Sequence, residues 1–525
     1  MCQLRTSRKE HLLSWRREKQ ISLANKSILS SIKQLAGQTA VYGLSSVIGR
    51  VLNYFLVPYY TRIFSPEQYG IVTEMYAYVA FLIIILTYGM ETAFFKFSSE
   101  AENKNTVYST TLISIFFTSA IFIANATIFS VPIANWLGYP NHTEYVIWFA
   151  IIVGLDALTA IPFAKLRELH KAKWFATVNV INIAVNIGLN IFFLVYCRNH
   201  YLEHGPNVNW LVDFCYDPEI GVGYVFISNL IATITKTLLL APYIFNVQLA
   251  YSRTLIRHML IYALPLLVAG LAGIINETID RIMLKNMLWD PPYGTEALTE
   301  LGIYGACYKI SMIITIFLQA FRYASEPFFF AKHKDGDAKA LYGEVMQYFI
   351  IAVSLIFLTI MLYIDLVMHF VGVEFRGGAP VVPILLMANL CLGVYFNLSI
   401  WYKLTSKTVY GAAIAIVGAL ITITINYLWI PKFGYMASAW ATLICYFSMM
   451  IVSYLLGRIH YPINYNIVKG IGYPATAFAL YYLSTLISQP GGNYHFLINT
   501  VILLLSVGIV YVLEKPKLVA KNSIR

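Results

Sequence analysis

Residues 69–95 read YGIVTEMYAYVAFLIIILTYGMETAFF, a run in which only Glu74 and Glu91 carry charge. About 20 helical residues at about 1.5 Å each cross the hydrocarbon core of a bilayer, so this run is long enough to span one. One such run could equally be a buried helix of a large soluble protein. What decides the class is recurrence: comparable runs occupy residues 37–61, 106–130, 144–165, 174–197, 220–246, 256–279, 301–322, 345–369, 380–402, 409–430, 434–457, 467–488 and 495–513. Little sequence lies between them, and the breaks carry turn-forming residues, as in Ser65-Pro66, Gly138-Tyr139-Pro140-Asn141 and Gln489-Pro490-Gly491-Gly492.

Composition agrees. Of 525 residues, 58% are hydrophobic and 12% charged, against roughly 25% charged in an ordinary soluble domain. The expected fold is all-α, a polytopic membrane protein with about fourteen transmembrane helices. Its parts are a basic cytoplasmic tail (1–36), an N-lobe of helices one to six (37–250), a C-lobe of helices seven to twelve (251–460), helices thirteen and fourteen (461–514) and a cytoplasmic tail (515–525). Two six-helix lobes around a central cavity are also suggested by a faint internal echo. Tyr69-Gly70-Ile71 followed by Tyr76 resembles Leu301-Gly302-Ile303 followed by Tyr308, and internal repeats are common in transporters.

The formal charge of +11 does not indicate nucleic acid, because the basic residues form no aromatic-interleaved patch. They sit in alternate loops. With the N-terminus inside, 28 of the 37 Lys and Arg fall at the inner ends of the helices and 6 at the outer ends, the bias expected of cytoplasmic loops. Both termini are therefore expected in the cytoplasm. The basic stretch before the first run has no cleavage site, so that run is kept as a span. Cys197 and Cys215 bracket the largest outer loop, about 198–219, and an oxidising compartment could join them. Lys332–Glu344 (KHKDGDAKALYGE) reads as a short surface helix.

No phosphate-binding Gly-rich loop, HExxH or paired CxxC occurs, so no enzymatic chemistry, metal or cofactor is expected. The candidate site residues are polar groups inside spans, which are costly in lipid and usually face a bundle interior or a watery cavity. Asn179, Asn182, Asn186 and Asn190 follow spacings of three, four and four, one stripe of a helix. They are read as cavity lining that meets sugar hydroxyls, with interhelical hydrogen bonding as the alternative. Arg50, Lys236 and Lys309 are the intramembrane cations, read as binding an anionic head group; pairing of Arg50 or Lys236 with Asp156 is the structural alternative. Glu277 and Arg281, four apart, are expected to neutralise each other. Glu74, Asp156, Glu277 and Asp280 are candidates for coupling to H+ or Na+. Pro265 should kink its helix.

The run Leu35–Phe97 resembles the N-terminal helices of Wzx-type polysaccharide flippases of the multidrug/oligosaccharidyl-lipid/polysaccharide exporter superfamily. Its most specific pieces are YTRIFSPEQYG (60–70) and TYGMETAFFKF (87–97), with EPFFFAKHKDGD (326–337) further on. The resemblance implies alternating access and a cargo of undecaprenyl-pyrophosphate-linked oligosaccharide, flipped across the bacterial inner membrane for capsule or O-antigen assembly alongside other polysaccharide-assembly proteins. It also implies that Arg50 matches the cavity arginine that holds pyrophosphate in related lipid II flippases. Proteins of that kind usually start a few residues before SSIKQLAGQTA, which would make residues 1 to about 28 an extension or the product of a misassigned start. The rival readings are a cation antiporter of the same fold, whose cavity should carry net acid, and a membrane glycosyltransferase or polymerase, which would need a larger outer loop.

Overall fold

The computed structural model describes residues 48–49, 51–206, 209–289, 294–332, 338–487 and 494–522. Every regular element among them is helical. The principal helices are α1 (Val57–Ile63), α2 (Pro66–Thr87), α3 (Met90–Glu100), α4 (Lys104–Ile128), α5 (Thr143–Glu168), α6 (Ala172–Ile191), α7 (Gly223–Leu239) and α8 (Arg253–Met287). They continue with α9 (Thr295–Lys332), α10 (Ala338–Leu362), α11 (Val381–Leu398), α12 (Thr408–Phe433), α13 (Tyr435–His460), α14 (Ile467–Ile487) and α15 (His495–Asn522).

Eleven segments among the described residues are long and apolar enough to cross a membrane. The shorter α7 and the 21-residue α14 lie where the sixth and thirteenth runs are expected, while the run 37–61 falls largely outside the described residues, Arg50 included. The protein is thus a multi-pass membrane protein. Its outer surface carries large exposed apolar side chains such as Leu264, Leu420, Leu428 and Leu504, a covering that water would not tolerate over so wide an area.

Local chemistry explains the ends of α2. Ser65 caps it by accepting from the Gln68 amide while the Gln68 side chain accepts from the Ser65 amide, and Pro66 occupies the first turn, an arrangement that satisfies two otherwise orphaned donors. The single helix expected over 69–95 is broken at its far end. Tyr88 and Gly89 both take left-handed backbone (φ 32° and 72°), and α3 starts anew at Met90. A Cβ on Gly89 would come within 3.0 Å of the Ala263 carbonyl, so the break lies where α8 crosses, next to Pro265, across which α8 runs on as one helix.

The expected surface helix at 332–344 lies only partly within the described residues. Residues 333–337 lie outside the described residues, and from Ala338 onward the chain is already α10, with Tyr342 buried and donating to the Phe329 carbonyl at 2.8 Å. α6 passes without interruption through a π-helical turn (Phe192–Cys197) into Arg198–His204. Cys197 and Cys215 are both free thiols.

With residues 57–245 taken as one half and 253–460 as the other, α2 and α9 make the principal contact between them. At 38 residues α9 is about 57 Å long, and it crosses α2 at two glycines. A Cβ on Gly302 would fall 1.8 Å from the Pro66 carbonyl oxygen, and one on Gly70 would fall 2.1 Å from that of Leu298. Backbone meets backbone there. Thr61 and Gly372 repeat the contact nearby, with the Gly372 amide donating to Thr61 Oγ1 at 3.0 Å. Tyr54 stacks on Phe370 at 4.4 Å, and Arg62 donates to the His369 carbonyl at 2.8 Å. The halves are thereby joined tightly at the end of the bundle where α2 begins and α8 ends.

Candidate functional site

Between the halves, next to this joint, lies a cavity of about 380 Å³ whose walls come from α1, α2, α6 and α7 on one side and α8 and α9 on the other. Its polar groups are amides, phenols and charges: Asn53, Asn186 and Asn229; Tyr60, Tyr69, Tyr76 and Tyr308; Glu277, Arg281 and Lys309.

Arg281 is its best-organised member. One guanidinium nitrogen donates to the Glu277 carbonyl at 2.5 Å and to Asp280 Oδ1 at 3.2 Å, and the group lies over the Tyr308 ring at 4.3 Å. Asp280, 2% exposed, also accepts the Tyr304 hydroxyl at 2.5 Å and the Arg281 amide at 2.9 Å. The expected Glu277–Arg281 charge pair is therefore replaced. The arginine folds back onto the backbone carbonyl one turn earlier and pairs with the adjacent aspartate, because Asp280 is already fixed and dehydrated by Tyr304. This leaves Glu277, which is exposed, with no ion pair or hydrogen bond to its carboxylate among the described residues.

Lys309 reaches the same cavity, and among the described residues its ammonium has no hydrogen-bond or ion-pair partner. Lys236 sits apart from these walls. It donates to Asp156 Oδ1 at 2.5 Å, and Asp156 also accepts from Thr233 at 3.3 Å, so the structure joins α5 to α7 through the pairing that the sequence offered as the alternative. Glu74 is fully buried and held by Tyr139 and by Lys285 at 2.9 Å. Arg50 lies outside the described residues. The charged side chains on view in the cavity wall are Arg281, Lys309 and Glu277, and the buried Asp280 pairs with Arg281 beside it.

The asparagine stripe divides along its length. Asn186 lies in the cavity wall, 3.5 Å from Asn53. Asn190, 2% exposed, accepts the Tyr60 hydroxyl at 2.8 Å and donates to the Asn186 carbonyl, which is the interhelical bonding role. Asn182 keeps a buried side-chain oxygen without a partner. Asn229, which the sequence reading did not single out, faces the same space and donates to the Tyr76 hydroxyl at 3.0 Å.

A second cavity, about 820 Å³, runs between α10, α11, α13 and α14. Met346, Leu390, Leu443, Phe447 and Phe478 are typical of its walls, and Gln347, Asn466 and Lys469 are its polar members. Lys469 is tied to Glu514 of α15 at 2.5 Å, with Gln347 and Tyr473 on the same carboxylate. One wall belongs to α14, so this groove depends on the C-terminal helix pair.

Two helical halves meeting at a pseudo-symmetric glycine crossing, with a polar cavity between them, define a membrane transporter of the multidrug/oligosaccharidyl-lipid/polysaccharide exporter fold. Solved structures bear this out: the lipid II flippase MurJ in an inward closed conformation superposes with a TM-score of 0.68 at 13% identity, over 92% of this chain and 99% of that one. An inward-facing multidrug resistance MATE transporter of the same superfamily superposes with a TM-score of 0.55 at 14% identity, over 80% and 94%. No curated protein sequence matches. Residues 35–333, more than half of the chain, match the family described as polysaccharide biosynthesis protein, and the chain belongs to that family. Its fold and family are those of transporters, not of catalytic enzymes.

Proposed function

We propose that the protein flips an undecaprenyl-pyrophosphate-linked oligosaccharide across the bacterial cytoplasmic membrane by alternating access, supplying surface-polysaccharide assembly. The observation that carries this reading is the cavity between the halves, where Arg281 and Lys309 stand beside a cluster of amides and phenols. A guanidinium fork and an ammonium suit a diphosphate. Amides and tyrosine faces suit sugar hydroxyls and rings. Arg50 and Lys236, if drawn in as the halves move, would add to the same anion site, and H+ or Na+ would act through Glu277, the free carboxylate of the cavity.

The apolar groove supports a lipid-linked cargo over a free organic cation. A long isoprenoid chain needs a dry surface, and the groove provides about 820 Å³ of almost wholly hydrocarbon lining. The likeness to the MATE transporter extends over 80% of the chain and that to the lipid II flippase over 92%. The test is translocation in proteoliposomes of a fluorescent polyprenyl-pyrophosphate oligosaccharide. Arg281→Gln and Lys309→Gln should each slow it at least about tenfold, as losing a charge-assisted contact worth roughly 1.5–3 kcal/mol implies. Ethidium transport by the parent protein, with no movement of the glycolipid, would replace this reading by that of a cation antiporter.

A further inference from the structure

Among the described residues one ion pair crosses the tight joint between the halves, and it is buried more deeply than any other. Glu74 of α2 and Lys285 of α8 meet at 2.9 Å with side chains 0% and 3% exposed. Both ends are finished with further bonds. The second Glu74 oxygen accepts the Tyr139 hydroxyl; Lys285 also donates to the Leu137 carbonyl at 2.5 Å and lies between the Tyr139 and Trp289 rings, 4.9 and 4.5 Å from their centroids. Gly138 and Gly294 close the shell, since a Cβ on either would strike the Trp289 ring.

Helix packing alone does not require this charge. Four residues beyond Gly70 is Glu74; four beyond its counterpart Gly302 is Ala306, fully buried in an apolar setting. The same step from the crossing glycine is thus served by a methyl group in one half and by a carboxylate in the other. A buried pair of this kind adds little net stability, because desolvation offsets the attraction, but removing one partner strands the other in a dry site. Separating the two halves at this end would bring both groups to water, where each is solvated.

We propose that Glu74 and Lys285 form a charge latch that holds the two halves together at this end and sets the balance between the two access states of the transporter. The inference rests on the alternating-access reading above, but its test measures conformation and not transport, so the two can fail separately. Spin labels at Asn141 and Glu374, both exposed and one on each half near the latch, report separation there. Labels at Lys104 and Lys407, also exposed, report the opposite end.

In nanodiscs, E74Q and K285M should each lengthen the 141–374 distance and shorten the 104–407 distance. The ratio of separated to joined molecules should rise about tenfold or more. The double variant E74Q/K285M strands no charge but has lost the attraction, and should stay shifted toward separation by less than either single variant. If a single variant yields no folded protein, E74Q/K285M and Tyr139→Phe carry the test, and both should shift toward separation. Parent-like distances in E74Q and K285M, a parent-like double variant, or a double variant shifted further than either single one would overturn the latch.

Discussion

At the scale of single residues, the difference between Lys236 and Lys309 turns on what faces each one. Lys236 has Asp156 at 2.5 Å with Thr233 on the same oxygen, whereas Lys309 opens onto the cavity without a partner among the described residues. Lys236→Met should therefore lower the thermal midpoint of the purified protein by leaving Asp156 uncompensated. The cost is about 1–3 kcal/mol, below the full buried-pair value because Asp156 keeps a third of its side chain exposed. Asp156→Asn in the same chain should recover most of that loss. Should the double variant be as stable as the parent yet fail to flip glycolipid, Lys236 would belong to the cargo site after all. The sequence carried these residues legibly as polar groups inside spans, but not their pairing. Spacing along a helix shows which residues share its face, as for Asn179 to Asn190, and is silent about what stands opposite. Asn190 meets Tyr60 and Asn186 meets open space, a division set by where α1 packs on α6. Arg281 is obscured in the sequence because Glu277, one helical turn earlier, is its expected partner, and spacing carries no sign that Tyr304 fixes Asp280 beside it.

At the scale of elements, the crossing of α2 and α9 is where sequence and structure agree most closely. The faint echo of Tyr69-Gly70-Ile71 in Leu301-Gly302-Ile303 marks two glycines that pack against each other's helix, so its two copies lie at one helix crossing. The contact partner of each missing side chain is a carbonyl oxygen, which cannot swing away as a side chain can. Gly302→Ala should cost at least about 1–3 kcal/mol, the range for overpacking, and reduce folded protein in detergent size-exclusion profiles. Gly273→Ala in α8, where an added Cβ meets nothing within 4 Å, is the matched control and should be neutral or gain up to about 1 kcal/mol from helix propensity. Equal behaviour of the two variants would mean that the crossing tolerates separation. The break at Tyr88-Gly89 was not legible, because the residues around it are apolar and helix-forming. What imposes it is α8 passing close by.

At the scale of the whole molecule, the helices fix which loops share an end of the bundle, while the charge bias alone assigns an end to the cytoplasm. Lys104 and Lys165 flank Glu168 at 3.6 and 2.7 Å, and Lys171 bonds Tyr243 at 3.0 Å, so the basic loops gather at the end opposite Asn141 and Glu374. Retention of basic loops on the cytoplasmic side then predicts that cysteines at Lys104, Lys171 and Lys407 are protected from a membrane-impermeant thiol reagent in intact cells, while those at Asn141 and Glu374 are labelled. Errors of different origin leave different patterns. An inverted molecule would exchange the two sets together, and the proposed direction of transport would reverse with it. A span miscounted within the described helices would invert only the sites beyond it. The run 37–61 is tested separately, by a cysteine at Lys33: if that run crosses the membrane, position 33 must be protected along with Lys104, since the first two spans return the chain to the side from which it started. Labelling of position 33 with protection at Lys104 would remove the first span, and with it any role for Arg50 in holding the pyrophosphate within the membrane.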